Sequence, residues 1–152
     1  MRRVSIALVA ASAVAVVAAQ QRPNFSGRWV QVNPEEGAGI EQIVRHEGDV
    51  LTTGHGASGG GHHGATYRLD DSENRNVITS HGSEIVTIST ATWSGPELTI
   101  VSATTYPDGR RLRQTQVWSI DTEGRLIVQL TERADGQEPV TLRIVLRKHD
   151  GG

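Results

Sequence analysis

From Gly27 onward the chain sets short runs of β-branched residues in alternation with polar ones and interrupts them with turn dipeptides. No helical period runs through them, so the pattern predicts antiparallel β structure throughout. Strands are expected at Arg28–Val32, Ile40–His46, Val50–Thr53, Ala65–Leu69, Asn76–Thr79, Glu84–Trp93, Glu97–Tyr106, Arg110–Ile120, Arg125–Glu132 and Val140–Arg147. Between them fall Glu47-Gly48-Asp49, Ser94-Gly95-Pro96, Pro107-Asp108-Gly109, Asp121-Thr122-Glu123-Gly124 and Ala134-Asp135-Gly136. These are turns in which Gly takes a positive φ cheaply or Pro arrives with φ already set. Leu98, Ile100, Ser102, Thr104 and Tyr106 share one face, followed on later strands by Leu112, Gln114, Gln116, Trp118 and Ile120, by Leu126, Val128 and Leu130, and by Leu142, Ile144 and Leu146. An open sheet of so many long strands would leave two unpaired edges, so closure into an up-and-down barrel is the economical architecture. Periodicity alone also fits a half-barrel or a two-sheet sandwich.

The amino terminus follows a different grammar. Arg2 and Arg3 precede an apolar run from Val4 to Ala18, and small residues end it at Ala19 before Gln20. That is the order of a secretory signal peptide, and the run is shorter than the ~20 residues that span a bilayer. The expected organisation is a signal peptide over 1–19, a lead over 20–26, a β-barrel domain over 27–149 and a tail over 150–152, in a protein exported to the periplasm or secreted and not stably inserted in a membrane after cleavage. Cleavage would leave thirteen basic and seventeen acidic side chains, a formal charge of −4. An acidic chain with six aromatic residues lacks the means to grip phosphate backbones and stack bases, so no nucleic-acid partner is expected. The absence of cysteine excludes disulfides, thiol catalysis and cysteine metal sites. About 130 residues suffice to bury a core without such staples, and a monomer is expected.

The segment Pro23-Asn24-Phe25-Ser26-Gly27-Arg28-Trp29-Val30 resembles the Asn-Phe-Ser-Gly-x-Trp opening of lipocalin-like proteins. Thr66-Tyr67-Arg68-Leu69-Asp70, the hairpin Trp93 to Leu98, Gln116-Val117-Trp118-Ser119-Ile120 and the ending Val145-Leu146-Arg147-Lys148 are similar to features of short exported bacterial β-barrel proteins of unassigned function. The resemblance implies a lipocalin-like barrel in which Gly27 and Trp29 open the first strand, Trp29 closes the floor, and Arg147 or Arg143 packs on its indole. It carries fold and almost no function, because such barrels host unrelated activities.

Several residue groups invite chemistry. His55, His62 and His63 stand in the glycine-rich stretch from Gly54 to Gly64, and His46, Asp70, Asp71 and His81 would be at hand to complete a metal shell. The plainer account is a solvated Gly/His loop. His81-Gly82-Ser83-Glu84 holds hydrolase residue types without the Gly-x-Ser-x-Gly frame or a third group to orient a base, and reads better as a turn followed by a strand start. The pairs Glu35-Glu36 and Asp70-Asp71 point apart on an extended chain, and Arg110, Arg111 and Arg113 read as a solvated hairpin edge. Nothing gathers a nucleophile, a base and an orienter, so an enzyme is not expected, and no cofactor is implied. Gln114 and Gln116 between Leu112 and Trp118 would place amides on a lumen wall, as a small-ligand pocket requires. The expected function is non-enzymatic binding of a small apolar or mixed-polarity ligand by Trp93, Tyr106, Gln114, Gln116 and Trp118. A lumen of about 300 Å³ or more would favour that reading and a filled barrel would not. The alternatives are metal binding through His55, His62 and His63, or an envelope interaction module without a ligand.

Overall fold

The computed structural model describes residues 21–32, 39–55 and 64–149. They form ten strands: β1 Gly27–Gln31, β2 Glu41–Glu47, β3 Val50–His55, β4 Ala65–Arg68, β5 Glu73–Ser80, β6 Ser83–Ser94, β7 Glu97–Thr105, β8 Arg111–Ile120, β9 Leu126–Ala134 and β10 Val140–Lys148. Every pair is antiparallel and the sheet runs β4-β3-β2-β1-β10-β9-β8-β7-β6-β5. First and last strands are therefore neighbours, with Trp29 opposite Lys148 and Gln31 opposite Leu146. The meander closes on itself into a nearly complete up-and-down barrel. Among the described residues no helix is long and apolar enough to cross a membrane. The expected signal peptide at 1–19 lies outside the described residues.

Turn chemistry sets the hairpins. Gly48, Gly95, Gly109, Gly124 and Gly136 all take positive φ, between 57 and 84°. At the β5–β6 connection His81 and Gly82 have φ of 50 and 77°, the two-residue turn whose twist matches the flanking strands. The sequence His81-Gly82-Ser83-Glu84 is thus a turn and a strand start.

Among the described residues the one interruption of the backbone ladder lies between β4 and β5. Two asparagine side chains take the place of peptide groups there. The Asn74 carboxamide accepts a hydrogen bond from the Arg68 N–H at 2.6 Å and donates to the Arg68 carbonyl at 3.3 Å. Asn76 repeats the arrangement with the N–H and carbonyl of Thr66 at 2.9 and 3.1 Å. An amide offers one donor side and one acceptor side, as a peptide does, so residues two apart on β5 satisfy residues two apart on β4. This explains why β5 begins at Glu73 and not at the expected Asn76: the polar residues that look like a loop in the sequence are the closing seam of the barrel.

The core is the inward face of this cylinder. Phe25, Leu51, Ala91, Leu98, Ile100 and Leu126 are wholly buried, and Trp29, Val44, Trp118, Val128 and Leu146 nearly so. They crowd the end bearing the short β2–β3, β4–β5, β6–β7 and β8–β9 turns. The opposite end carries the two long connections, between β1 and β2 and between β3 and β4, and is the mouth.

Candidate functional site: a floored barrel with a cavity at its mouth

The lead Asn24-Phe25-Ser26 builds the floor. Phe25, His46 and Trp93 form a three-ring cluster, with the Phe25 centroid 5.8 Å from each of the other two and those two 6.0 Å apart, and Phe25 meets Trp118 edge-on at 5.6 Å. Ser26 Oγ accepts from the His46 N–H at 2.8 Å and lies 3.2 Å from the His46 carbonyl, which also receives the Asn24 amide at 3.2 Å. Asn24 Oδ1 in turn accepts the Ser26 N–H at 2.8 Å. The Trp29 indole donates to the Phe25 carbonyl at 2.9 Å. Each residue of the opening motif thus has a task at the floor.

Gly27 has one as well. A Cβ there would fall 2.6 Å from Lys148 Cε, and the space it leaves lets the Lys148 ammonium lie 5.7 Å over the Trp29 ring. The basic partner of Trp29 is therefore Lys148 and not Arg147 or Arg143. Register decides this, because Trp29 pairs with Lys148 while Val30 pairs with Arg147, which projects from the opposite face of the strand. Arg143, opposite Gln129, also lies on the outer face.

His46 is 8% exposed, and its Nδ1 accepts the Phe25 N–H at 3.3 Å. That nitrogen must be unprotonated. Burial pushes the imidazole pKa below its ordinary value, with the Gly48 backbone and Asp49 pulling weakly the other way.

Above the floor the wall divides by chemistry. Across β5 to β9 one register rank reads Asn74, Ser89, Ser102, Gln114, Glu132, all polar and all inward. Gln114 donates to the Glu132 carboxylate, and in the next rank the Thr87 and Thr104 hydroxyls are 2.9 Å apart. Among the described residues the Ser89 hydroxyl is the one fully buried side-chain polar atom with no partner.

On the other side the wall stands away from its neighbours and leaves a cavity of about 260 Å³. Val128, Leu130, Ile144, Leu146 and Trp118 supply its apolar surface, and Gln42, Thr53, His55, Tyr67 and Gln116 its polar points. Gln116 Oε1 is held by the Trp118 indole N–H at 2.9 Å, which fixes the amide with its NH₂ group as the remaining donor. Burial pushes the Tyr67 phenol pKa up, so the hydroxyl stays protonated at neutral pH. Around the mouth Ile40, Val140 and Leu142 are 38, 58 and 51% exposed. Val140 and Leu142 are inward by register, opposite Glu132 and Leu130.

Of the residues expected to bind a ligand, Gln116 and Trp118 line this cavity. Gln114 is one rank away and engaged with Glu132. Trp93 belongs to the floor, where the Arg22 guanidinium covers it at 5.3 Å. Tyr106 sits at the β7–β8 turn beneath Arg110 at 5.2 Å. Gln42 and Thr53 follow from sequence only as inward positions, through the alternation Gln42, Val44, His46 and Leu51, Thr53, His55, and Tyr67 only as part of the Thr66–Asp70 resemblance. His55 stands on the cavity wall, whereas His62 and His63 lie outside the described residues. The other expected metal ligands are dispersed, with His46 in the floor and His81 in a turn. Among the described residues no three His, Asp or Glu side chains are grouped to hold a metal ion.

The fold and the site define a ten-stranded up-and-down barrel with a plugged floor and a small cavity of mixed polarity near its mouth. No protein-family model matches the chain, and no curated protein matches its sequence.

Proposed function

We propose that this protein is an exported, lipocalin-like, non-enzymatic carrier or sensor that binds one small, uncharged, largely apolar molecule in the mouth cavity as a monomer. The observation that carries the reading is the contrast within one lumen. A barrel that packs Phe25, Trp29, Trp118 and their neighbours to full burial at one end keeps about 260 Å³ open at the other, with fixed hydrogen-bonding groups facing it. An apolar pocket with a few placed polar groups is what orients a small ligand. The volume lies just under the ~300 Å³ at which ordinary ligand pockets begin, so the occupant is small. With a water occupying about 30 Å³, on the order of nine waters or a molecule of roughly ten non-hydrogen atoms would fill it. Among the described residues no Lys, Arg, Asp or Glu lines the cavity, which favours a neutral ligand able to accept from the Gln116 amide or the Tyr67 hydroxyl. The Trp29 floor and the Gly27 gap support the lipocalin-like assignment, and the Arg2-Arg3 and apolar leader supports export.

The test is native mass spectrometry of protein purified gently from its own host, followed by titration with neutral cyclic and aromatic compounds while Trp118 fluorescence is read. A retained small mass, or saturable quenching that Leu130→Trp abolishes without loss of fold, is the expected result. A clean apo mass together with no saturable response across such a panel refutes the reading.

A further inference from the structure

On the outer wall the register places Arg75, Ile88, Ala103, Arg113 and Arg133 side by side across β5 to β9. Arg113 and Arg133 are direct cross-strand partners, and like charges so placed repel unless something lies between them. The structure offers little. Among the described residues neither takes part in an ion pair, whereas Arg28, Arg68, Arg110 and Arg125 each have a carboxylate within reach. Asp135 lies in the same depression but makes no ion pair with either arginine.

The two arginines line a groove of about 230 Å³ at the β9–β10 turn, with Ala134, Asp135 and Gly136. Arg113 also borders a second, shallower groove of about 410 Å³, whose outward side chains include Ile88, Val101, Ala103 and Thr115. Val101 is 49% exposed. A pocket lined by two arginines and one carboxylate, Asp135, thus continues into an aliphatic trough.

We propose that this face docks on a membrane surface through an anionic phospholipid, with Arg113 and Arg133 holding the headgroup phosphate and the Ile88–Val101–Ala103 trough meeting the glycerol and upper acyl region. A planar guanidinium presents two parallel donors to a phosphate, and two of them facing one depression suit an anion shared between them. The bound phosphate removes the cross-strand repulsion that the free protein carries. Strands β6 to β9 are paired on both sides, so the backbone offers no edge to an extended peptide, and recognition is left to charge and aliphatic contact. The site is on the outside of the wall and is independent of the lumen.

The test uses the full mature chain with vesicles of phosphatidylglycerol and phosphatidylcholine, of phosphatidylcholine alone, and with inorganic phosphate as a competitor. Binding to the anionic vesicles is expected, at least tenfold tighter than to the zwitterionic ones and weakening steeply with salt. Arg113→Gln with Arg133→Gln, and separately Val101→Asp, should each lower vesicle affinity about tenfold or more, while Arg110→Gln, which loses the Asp108 pair and the contact with the Tyr106 ring, should change it less than twofold. A double-mutant cycle in thermal stability provides a second readout, in which Arg113 and Arg133 couple unfavourably in the free protein and lose that coupling on anionic vesicles. Equal binding to both vesicle types, no binding, or indifference to the double substitution overturns the proposal. Complete displacement by millimolar inorganic phosphate overturns the membrane assignment in favour of a free-phosphate site.

Discussion

Replacing Asn74 with alanine removes one of the two side chains that close the barrel. Three hydrogen bonds go with it, to the Arg68 N–H at 2.6 Å and to the Arg68 and Ser72 carbonyls at 3.3 Å each. The first is short and the other two lie at the long limit of useful geometry, so they amount to about one and a half to two good bonds, or roughly 1 to 2 kcal/mol net. The stranded Arg68 N–H adds part of a desolvation penalty, because Asn74 is only 6% exposed and water reaches the seam there poorly. The sum is a loss of about 2 to 3 kcal/mol. Asn76→Ala removes a similar pair from an exposed site that water can refill, and should cost under about 1 kcal/mol. Urea denaturation gives both values, and amide exchange locates them: the Arg68 amide should lose protection in Asn74→Ala while the core strands β7 and β8 keep theirs. Asn74→Asp keeps the acceptor and loses the donor, and should fall between wild type and alanine. An Arg68 amide that exchanges no faster in Asn74→Ala, or equal costs at the two positions, would refute the claim that carboxamides stand in for peptide groups at this seam.

The floor makes its own predictions. His46 has a folded pKa below its unfolded value of about 6.5, so the unfolded chain binds more protons as the pH falls through that value; stability is full above it and declines below. His46→Phe keeps the stacked ring and loses the titration, so the variant should show a shallower fall in unfolding free energy between pH 7.5 and pH 5, and an unchanged slope would remove His46 from the account. Lys148→Ala should cost about 0.5 kcal/mol through the lost contact with Trp29, whereas Arg147→Ala on the outer face should cost less; thermal melts in the reverse order would contradict the register. Ser89→Ala deletes a buried hydroxyl without a partner and should leave stability unchanged or raise it by up to about 1 kcal/mol, so a destabilised variant would reveal a bound water or ligand at that point.

What could be read from the sequence follows how locally each feature is encoded. Strand and turn are local properties, and alternation such as Leu98, Ile100, Ser102, Thr104 together with the turn glycines specified all ten strands and the meander. Closure followed from strand count, since edges are costly. The partner of Trp29 did not, because Lys148 and Arg147 are adjacent in a basic ending and only the cross-barrel register tells which of them faces inward. The same limit hid the seam: Asn74 has low strand propensity and falls before the strand expected from Asn76, and the role of both asparagines appears only when β4 lies alongside. The site was half legible for a related reason. Gln116 and Trp118 could be named because they alternate within one long strand, while Tyr67, Gln42 and Thr53 come from short strands whose approach to Gln116 depends on the barrel closing. Trp93 and Tyr106 share the inward alternation but sit at the strand ends, where one plugs the floor and the other supports a turn. Alternation gives the face of a residue and not its height along the axis.

Height is what separates stability from function in this barrel. At the floor, Phe25 of the lead segment stacks with His46 and Trp93 and meets Trp118 edge-on, and the hydrogen bonds of Asn24, Ser26 and the Trp29 indole hold the lead there. Packing of that density resists change, and substitution there is expressed as lost stability. Toward the mouth the inward residues change from buried to partly exposed along the same strand, as in β10 from Leu146 through Ile144 to Leu142. Apolar side chains left partly exposed at 142 and 140 gain free energy when covered, and the fixed amide of Gln116 below them selects what covers them. Substitutions at the mouth should therefore change what the protein binds at little cost in folding, and substitutions at the floor should do the opposite.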